Sequence, residues 1–125
     1  MKKPDNAKER GLIKGAIRRV FSRSELRRAA IARNEIPHFD LARPRAKKWV
    51  FCDLCGEIFP KYLAQADHIK PVIPVDKALD SMTWDELIEN QWCDIANLQT
   101  VCKSCHNDKT KLENKERRRI KNEKL

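Results

Sequence analysis

Two Cys-x-x-Cys pairs, Cys52-Asp53-Leu54-Cys55 and Cys102-Lys103-Ser104-Cys105, stand 46 residues apart in a chain of 125. One pair alone is equally compatible with a redox dithiol. Two pairs in one small chain supply four thiolates, the donor set of a tetrahedral structural zinc site. The separation exceeds that of a compact zinc ribbon, so the ion joins distant chain segments. The entropy of closing such a loop grows only logarithmically with its length. A structural zinc contributes on the order of 10 kcal/mol to folding, comparable to the whole stability of a small domain. The fifth cysteine, Cys93, has no spaced partner and is expected as a small buried apolar residue.

No stretch approaches the ~18 apolar residues of a membrane span, and the start Met1-Lys2-Lys3-Pro4-Asp5 lacks the apolar run of an export signal. A cytoplasmic protein is expected, in which cysteines point to metal binding or reactive thiols rather than a disulfide framework. The net charge of +9 is unevenly spread. Residues 1–49 hold 15 Lys/Arg against 5 Asp/Glu (+10), residues 50–110 hold 5 against 10 (−5), and residues 111–125 hold 7 against 3 (+4). Basic ends suit a polyanion, because Lys and Arg near phosphates release condensed counterions. The acidic middle repels that polyanion unless a cation sits within it.

The patterning predicts an amphipathic helix over 5–21, with Leu12, Ile13, Ala16, Ile17, Val20 and Phe21 on one face. Ser22 with Glu25 resembles a capping box for a second helix, about 23–34. Pro37 and Pro44 then mark 35–48 as a basic connector. Trp49-Val50-Phe51 reads as a short strand, Ala64 to Ile69 as a second, and Thr83 with Glu86 as the start of a helix through about Asn90. A last helix is expected from near Lys103 into the basic tail. The expected organisation is a basic helical arm and connector (1–48), a zinc-containing central module (49–112) and a basic helical tail (113–125).

Between the cysteine pairs lies Ala66-Asp67-His68-Ile69-Lys70-Pro71, whose Asp67 and His68 point to opposite faces of a strand. His106 follows Cys105 directly. Helical neighbours diverge by ~100°, so if Cys105 faces zinc then His106 faces whatever the helix packs on. Asn97 lies nine residues upstream. These four side chains are expected to converge where the last helix crosses the strands.

Taken together, Cys52-x-x-Cys55, Asp67-His68-Ile69-x-Pro71, Asn97-Leu98-Gln99 and Cys102-x-x-Cys105-His106-x-x-Lys109-Thr110 resemble the HNH endonuclease family, in its zinc-binding subgroup, over roughly residues 49–112. The excursion with Trp84 and Trp92 more loosely resembles small HNH proteins of phages and prophages, which places such a protein in a bacterial host cell and raises phage packaging proteins as partners. The resemblance implies an α+β fold with a ββα-metal module and a structural site on Cys52, Cys55, Cys102 and Cys105. It further implies that His68 is the general base, Asp67 and His106 are ligands of a catalytic divalent cation, and Asn97 braces the loop that aims His68. The implied reaction is DNA hydrolysis to 5′-phosphate and 3′-hydroxyl ends. The 29 positions from His68 to Asn97 exceed the spacing of many members, and the extra length holds the 83–90 helix.

The chemistry suits these residue types. Histidine is largely neutral near pH 7 yet still basic. An ion held by few protein ligands keeps positions open for a phosphate oxygen and the departing oxygen. A carboxylate with an imidazole accepts Mg2+, Mn2+, Ni2+ or Zn2+, and that cation also offsets the negative middle. Arg18, Arg19, Arg27, Arg28, Arg117, Arg118 and Arg119 are candidates for contacts to the duplex backbone. Lys109, one turn past Cys105, suits phosphate or plain solvation. Trp49, Trp84 and Trp92 suit base stacking or, better, core anchoring, and His38 reads as structural. One site cuts one strand, so a monomer nicks and a double-strand break needs a homodimer or two visits. The rival readings are a non-catalytic zinc module that binds DNA or RNA, and an accessory subunit docking through helices 1–34.

Overall fold

The computed structural model describes residues 6–36 and 48–123. Most of the 35–48 connector, with Pro37, His38 and Pro44, lies outside the described residues. Helix α1 spans Ala7–Phe21, capped by the Asn6 side chain on Glu9 N–H, and α2 spans Glu25–Ala32. The cap of α2 is Ser24, which accepts from Arg27 N–H at 3.1 Å. Ser22, expected in that role, instead donates its hydroxyl to the Arg19 carbonyl and closes α1.

Two antiparallel hairpins follow. Strand β1 (Trp49–Phe51) pairs with β2 (Ile58–Pro60), and the Cys52–Cys55 knuckle forms their turn. Gly56 at the knuckle's exit has φ +76°, a left-handed conformation that glycine adopts without a Cβ penalty. Strand β3 (Gln65–His68) pairs with β4 (Leu98–Val101), setting Asp67 opposite Gln99 and His68 opposite Leu98. Between β3 and β4 the chain makes an excursion carrying α3 (Trp84–Gln91), capped by Thr83. Helix α4 (Lys103–Glu123) leaves directly from β4. The β3–β4–α4 unit is the expected ββα module, and β2 and β4 are additions to the strand pattern read from the sequence.

The basic N-terminal segment packs against the module through α2 and Phe21. Helix α2 places Ala30 with Phe21 and Leu98 in one buried cluster, and Ile31 with Val50 and Ala64 in another. Polar contacts seal the junction. Thr100 Oγ1 donates to the Ala30 carbonyl, Arg33 to the Leu98 carbonyl at 2.7 Å, and Asn34 Nδ2 to the Phe51 carbonyl. A β-bridge joins Glu35 to Val50. The module's two small hairpins bury too little apolar surface alone, and α2 supplies the missing layer.

Helix α1 is rotated away from the orientation its apolar stripe predicts. Leu12 and Val20 are 63% and 62% exposed, and only Phe21 is buried. The face turned inward carries Arg10, Lys14, Ile17 and Phe21. Phe21 packs the C-terminal turn between His68 and Trp92.

Candidate active site and metal centre

The four expected thiols come together. The Sγ atoms of Cys52, Cys55, Cys102 and Cys105 all lie within 4.8 Å of one another. The Cys55–Cys102 pair is 3.9 Å apart, against about 3.8 Å for the edge of a tetrahedron with Zn–S bonds of about 2.3 Å. Backbone amides of Leu54, Cys55 and Cys102 point at Cys52 Sγ, and Cys105 N–H points at Cys102 Sγ. Burial pushes the Cys52 thiol up, but amides of Cys55, Cys102 and Leu54 outweigh it and bring the thiol down to about 7. Cys105 is pushed up, first by the neighbouring Cys102 sulfur. Ionising one thiol thus hinders the next, and a dication in the centre removes that conflict. The donor set and its spacing fit zinc. Asp53 fastens the knuckle to β4, its carboxylate accepting from Thr100 N–H at 2.8 Å and its own amide donating to the Thr100 carbonyl.

Cys93 stands outside this cluster. It is half-buried against the Phe21–Leu98 core rather than fully enclosed, and burial raises its thiol.

Strand alternation sends Asp67 and His68 to opposite sides, as expected. Asp67, 7% exposed, faces α4. Its Oδ1 lies 3.9 Å from His106 Nε2, while Oδ2 accepts from Gln99 Nε2 at 2.9 Å and pairs with Lys109 Nζ at 3.2 Å. The Oδ1–Nε2 gap is shorter than two metal–ligand bonds of about 2.1 Å, so one small cation can touch both atoms. Gln99 orients the carboxylate without occupying Oδ1.

His68 faces the other way. Its ring packs on Phe21, with centroids 5.1 Å apart, and Nε2 lies 2.9 Å from the Gln91 carbonyl oxygen. A carbonyl only accepts, so in the neutral ring Nε2 carries the proton and Nδ1 keeps the lone pair. Gln91 ends α3, which gives the long excursion a role that its sequence did not reveal: it delivers the acceptor that fixes the His68 tautomer.

Asp67, His68 and His106 line one cavity of about 420 Å3, whose walls also include Lys14, Arg18, Arg27, Glu113 and Arg117. The cavity wraps the end of β3, so side chains on opposite faces of the strand share it. Asn97 is not among its lining residues. It spans the turn after β3 instead, its Oδ1 accepting from Lys70 N–H at 2.9 Å and its Nδ2 donating to the Lys70 carbonyl at 3.2 Å. Its own carbonyl accepts from Ile69 N–H at 2.8 Å. Replacing Asn97 by alanine removes both side-chain bonds, and the expected loss is about 1–3 kcal/mol. Thermal unfolding of the variant checks it, and an unchanged midpoint would show that the Lys70 turn holds without this brace.

The cations expected on DNA divide into two groups. Arg18, Arg19 and Arg118 are exposed, and Arg18 borders the cavity. Others are bound within the protein. Lys109, expected on phosphate or in solvent, bridges Asp67, Glu113 and the His68 carbonyl. Arg117 holds the excursion through the Ile73 and Pro74 carbonyls, and Arg119 pairs with Glu116 and Glu123 on α4. Arg27 donates to the Ala64 carbonyl and Arg28 to the Arg23 carbonyl. Lys14 is an addition. Partial burial, and then the nearby Arg18 and Arg117, lower its pKa. Its signal in the sequence was its place on the Arg10–Lys14–Ile17–Phe21 face, which the apolar stripe obscured.

A ββα unit, a four-cysteine metal knuckle and an aspartate–histidine pair beside an oriented imidazole define a metal-binding module with a polar cleft. Residues 52–112 match the family model described as HNH endonuclease. Among curated proteins and solved structures, nothing matches the chain significantly.

Proposed function

We propose that the protein is a metal-dependent DNA endonuclease that hydrolyses phosphodiester bonds in the cavity at the end of β3. The observation that carries this reading is the pairing of an oriented imidazole with an open aspartate–histidine pair on one cavity wall. His68 Nδ1 takes the proton of the attacking water, while the Gln91 carbonyl holds Nε2–H and stabilises the imidazolium as it forms. Asn97 keeps the chain after His68 in place through Lys70.

Asp67 Oδ1 and His106 Nε2 would hold the catalytic divalent ion, which when bound neutralises phosphate charge and assists the departing oxygen. Mg2+, Mn2+, Ni2+ and Zn2+ all suit a carboxylate with an imidazole. The structural zinc on the four cysteines takes no part in the chemistry and fixes α4, and so His106, against β3. Lys14 and Arg18 of α1 border the same cavity and bind the phosphates of the strand being cut.

The test is conversion of supercoiled plasmid to nicked or linear forms by purified protein with added Mg2+, Mn2+ or Ni2+. Conversion with at least one of these ions, abolished by chelator, is the expected result. Intact supercoiled plasmid with every ion would overturn the reading.

A further inference from the structure

A second cavity, of about 590 Å3, lies between α2 and the 3-10 turn Lys61–Leu63. Its described lining residues combine four cations, Arg27, Arg28, Lys48 and Lys61, with an apolar wall of Ile31, Ala32 and Ala64 and one aromatic ring, Tyr62. Tyr62 is 68% exposed. No carboxylate is among the described lining residues. Two of these cations, Lys61 and Lys48, pair with Glu35 at 3.1 and 3.6 Å, while Arg27 and Arg28 donate to the Ala64 and Arg23 carbonyls, which do not neutralise their charge. Arg27 borders both this cavity and the one holding His68, so the two are neighbours across a single side chain.

An aromatic face beside apolar atoms, ringed by cations, matches a base with its phosphates. The cations follow the backbone, and the ring stacks on any base, because every base has a π-face. A base can enter such a hollow only after leaving the stack of a duplex.

We infer that this second cavity is a subsite for an unpaired nucleotide of the strand cut at His68, within a few positions of the cleaved phosphate. The inference rests on the nuclease reading for the identity of its substrate. It makes single-stranded or locally unpaired DNA a better ligand than continuous duplex, and it uses α2 and β1–β2 as well as the ββα unit.

Fluorescence anisotropy with a labelled single-stranded oligonucleotide, and with the same sequence as a duplex, tests it. Two variants are compared with the parent: Tyr62→Ala, which removes the stacking ring, and Ala32→Phe, which fills the hollow from an exposed helix position. Both are expected to weaken single-strand binding about tenfold or more while duplex binding changes less than about twofold, the gap reflecting a lost base–aromatic stack. Binding of single strands within twofold of the parent in both variants would overturn the subsite. If the parent also nicks plasmid, the nuclease reading survives that result. Conversely, a tenfold loss in the variants of a parent that cuts no DNA would overturn the nuclease reading and the assignment to a cut strand, leaving the cavity as a single-strand binding site.

Discussion

Replacing His68 by alanine is expected to lower the rate of plasmid cleavage by about 10²–10⁴-fold, the range a positioned general base contributes. The site is arranged so that this loss is chemical rather than structural. The imidazole sits on the cavity wall at the end of β3, where it packs on Phe21 and bonds the Gln91 carbonyl. Removing it leaves the β3–β4 ladder, the Lys109 contacts to the His68 carbonyl and the Asp67–His106 pair in place. Circular dichroism and the thermal midpoint should therefore stay close to the parent. A variant that keeps the parent's rate in a contaminant-checked preparation would show that the imidazole does not carry the proton.

Replacing Cys102 by serine is expected to unfold the domain. Cys102 supplies one of four clustered sulfurs, and its amide also donates to Cys52 Sγ. A serine hydroxyl does not ionise near neutral pH, so the tetrahedral thiolate set is broken. A structural zinc contributes on the order of 10 kcal/mol, against a total stability of about 5–15 kcal/mol for a native domain. The described core is small: its two buried clusters each centre on three residues. Without the metal little opposes the entropy of ordering the chain from Cys52 to Cys105. Metal content near one zinc per chain in the parent, near zero in Cys102→Ser, and loss of the helical signal are the expected readings. Cys93→Ala should keep its zinc, because Cys93 lies outside the cluster. A Cys102→Ser protein as stable as the parent would assign the sulfurs no structural role.

Much of this site was legible because its residues obey local rules. The two cysteine pairs constrain each other through valence, and their sulfurs meet. The period of a strand placed Asp67 and His68 on opposite faces, and the period of a helix turned His106 away from Cys105. Thr83 with Glu86 announced α3, and Thr83 Oγ1 accepts from Glu86 N–H at 3.1 Å while its hydroxyl donates to the Glu86 carboxylate.

What escaped was long-range. Strands β2 and β4 are as short as β1 and β3, and their pairing is a long-range feature that no local pattern marks. Their pairing follows from the metal and from α2. The apolar stripe of α1 misled because the helix packs through Phe21 on His68 and Trp92, with Lys14 toward the cleft. Gln91 was invisible because a backbone carbonyl has no sequence signature, although it determines which nitrogen of His68 is free. Charge counting marked Lys109, Arg117 and Arg119 as cations without showing that each already has partners inside the protein.

The most direct measurement is the position of Mn2+ in crystals of the zinc-loaded protein, located by anomalous scattering. The account predicts one manganese peak about 2.1–2.3 Å from both Asp67 Oδ1 and His106 Nε2, on the cavity that His68 lines. Manganese found elsewhere, with Asp67 still closed onto Lys109 and His106 unliganded, would contradict it.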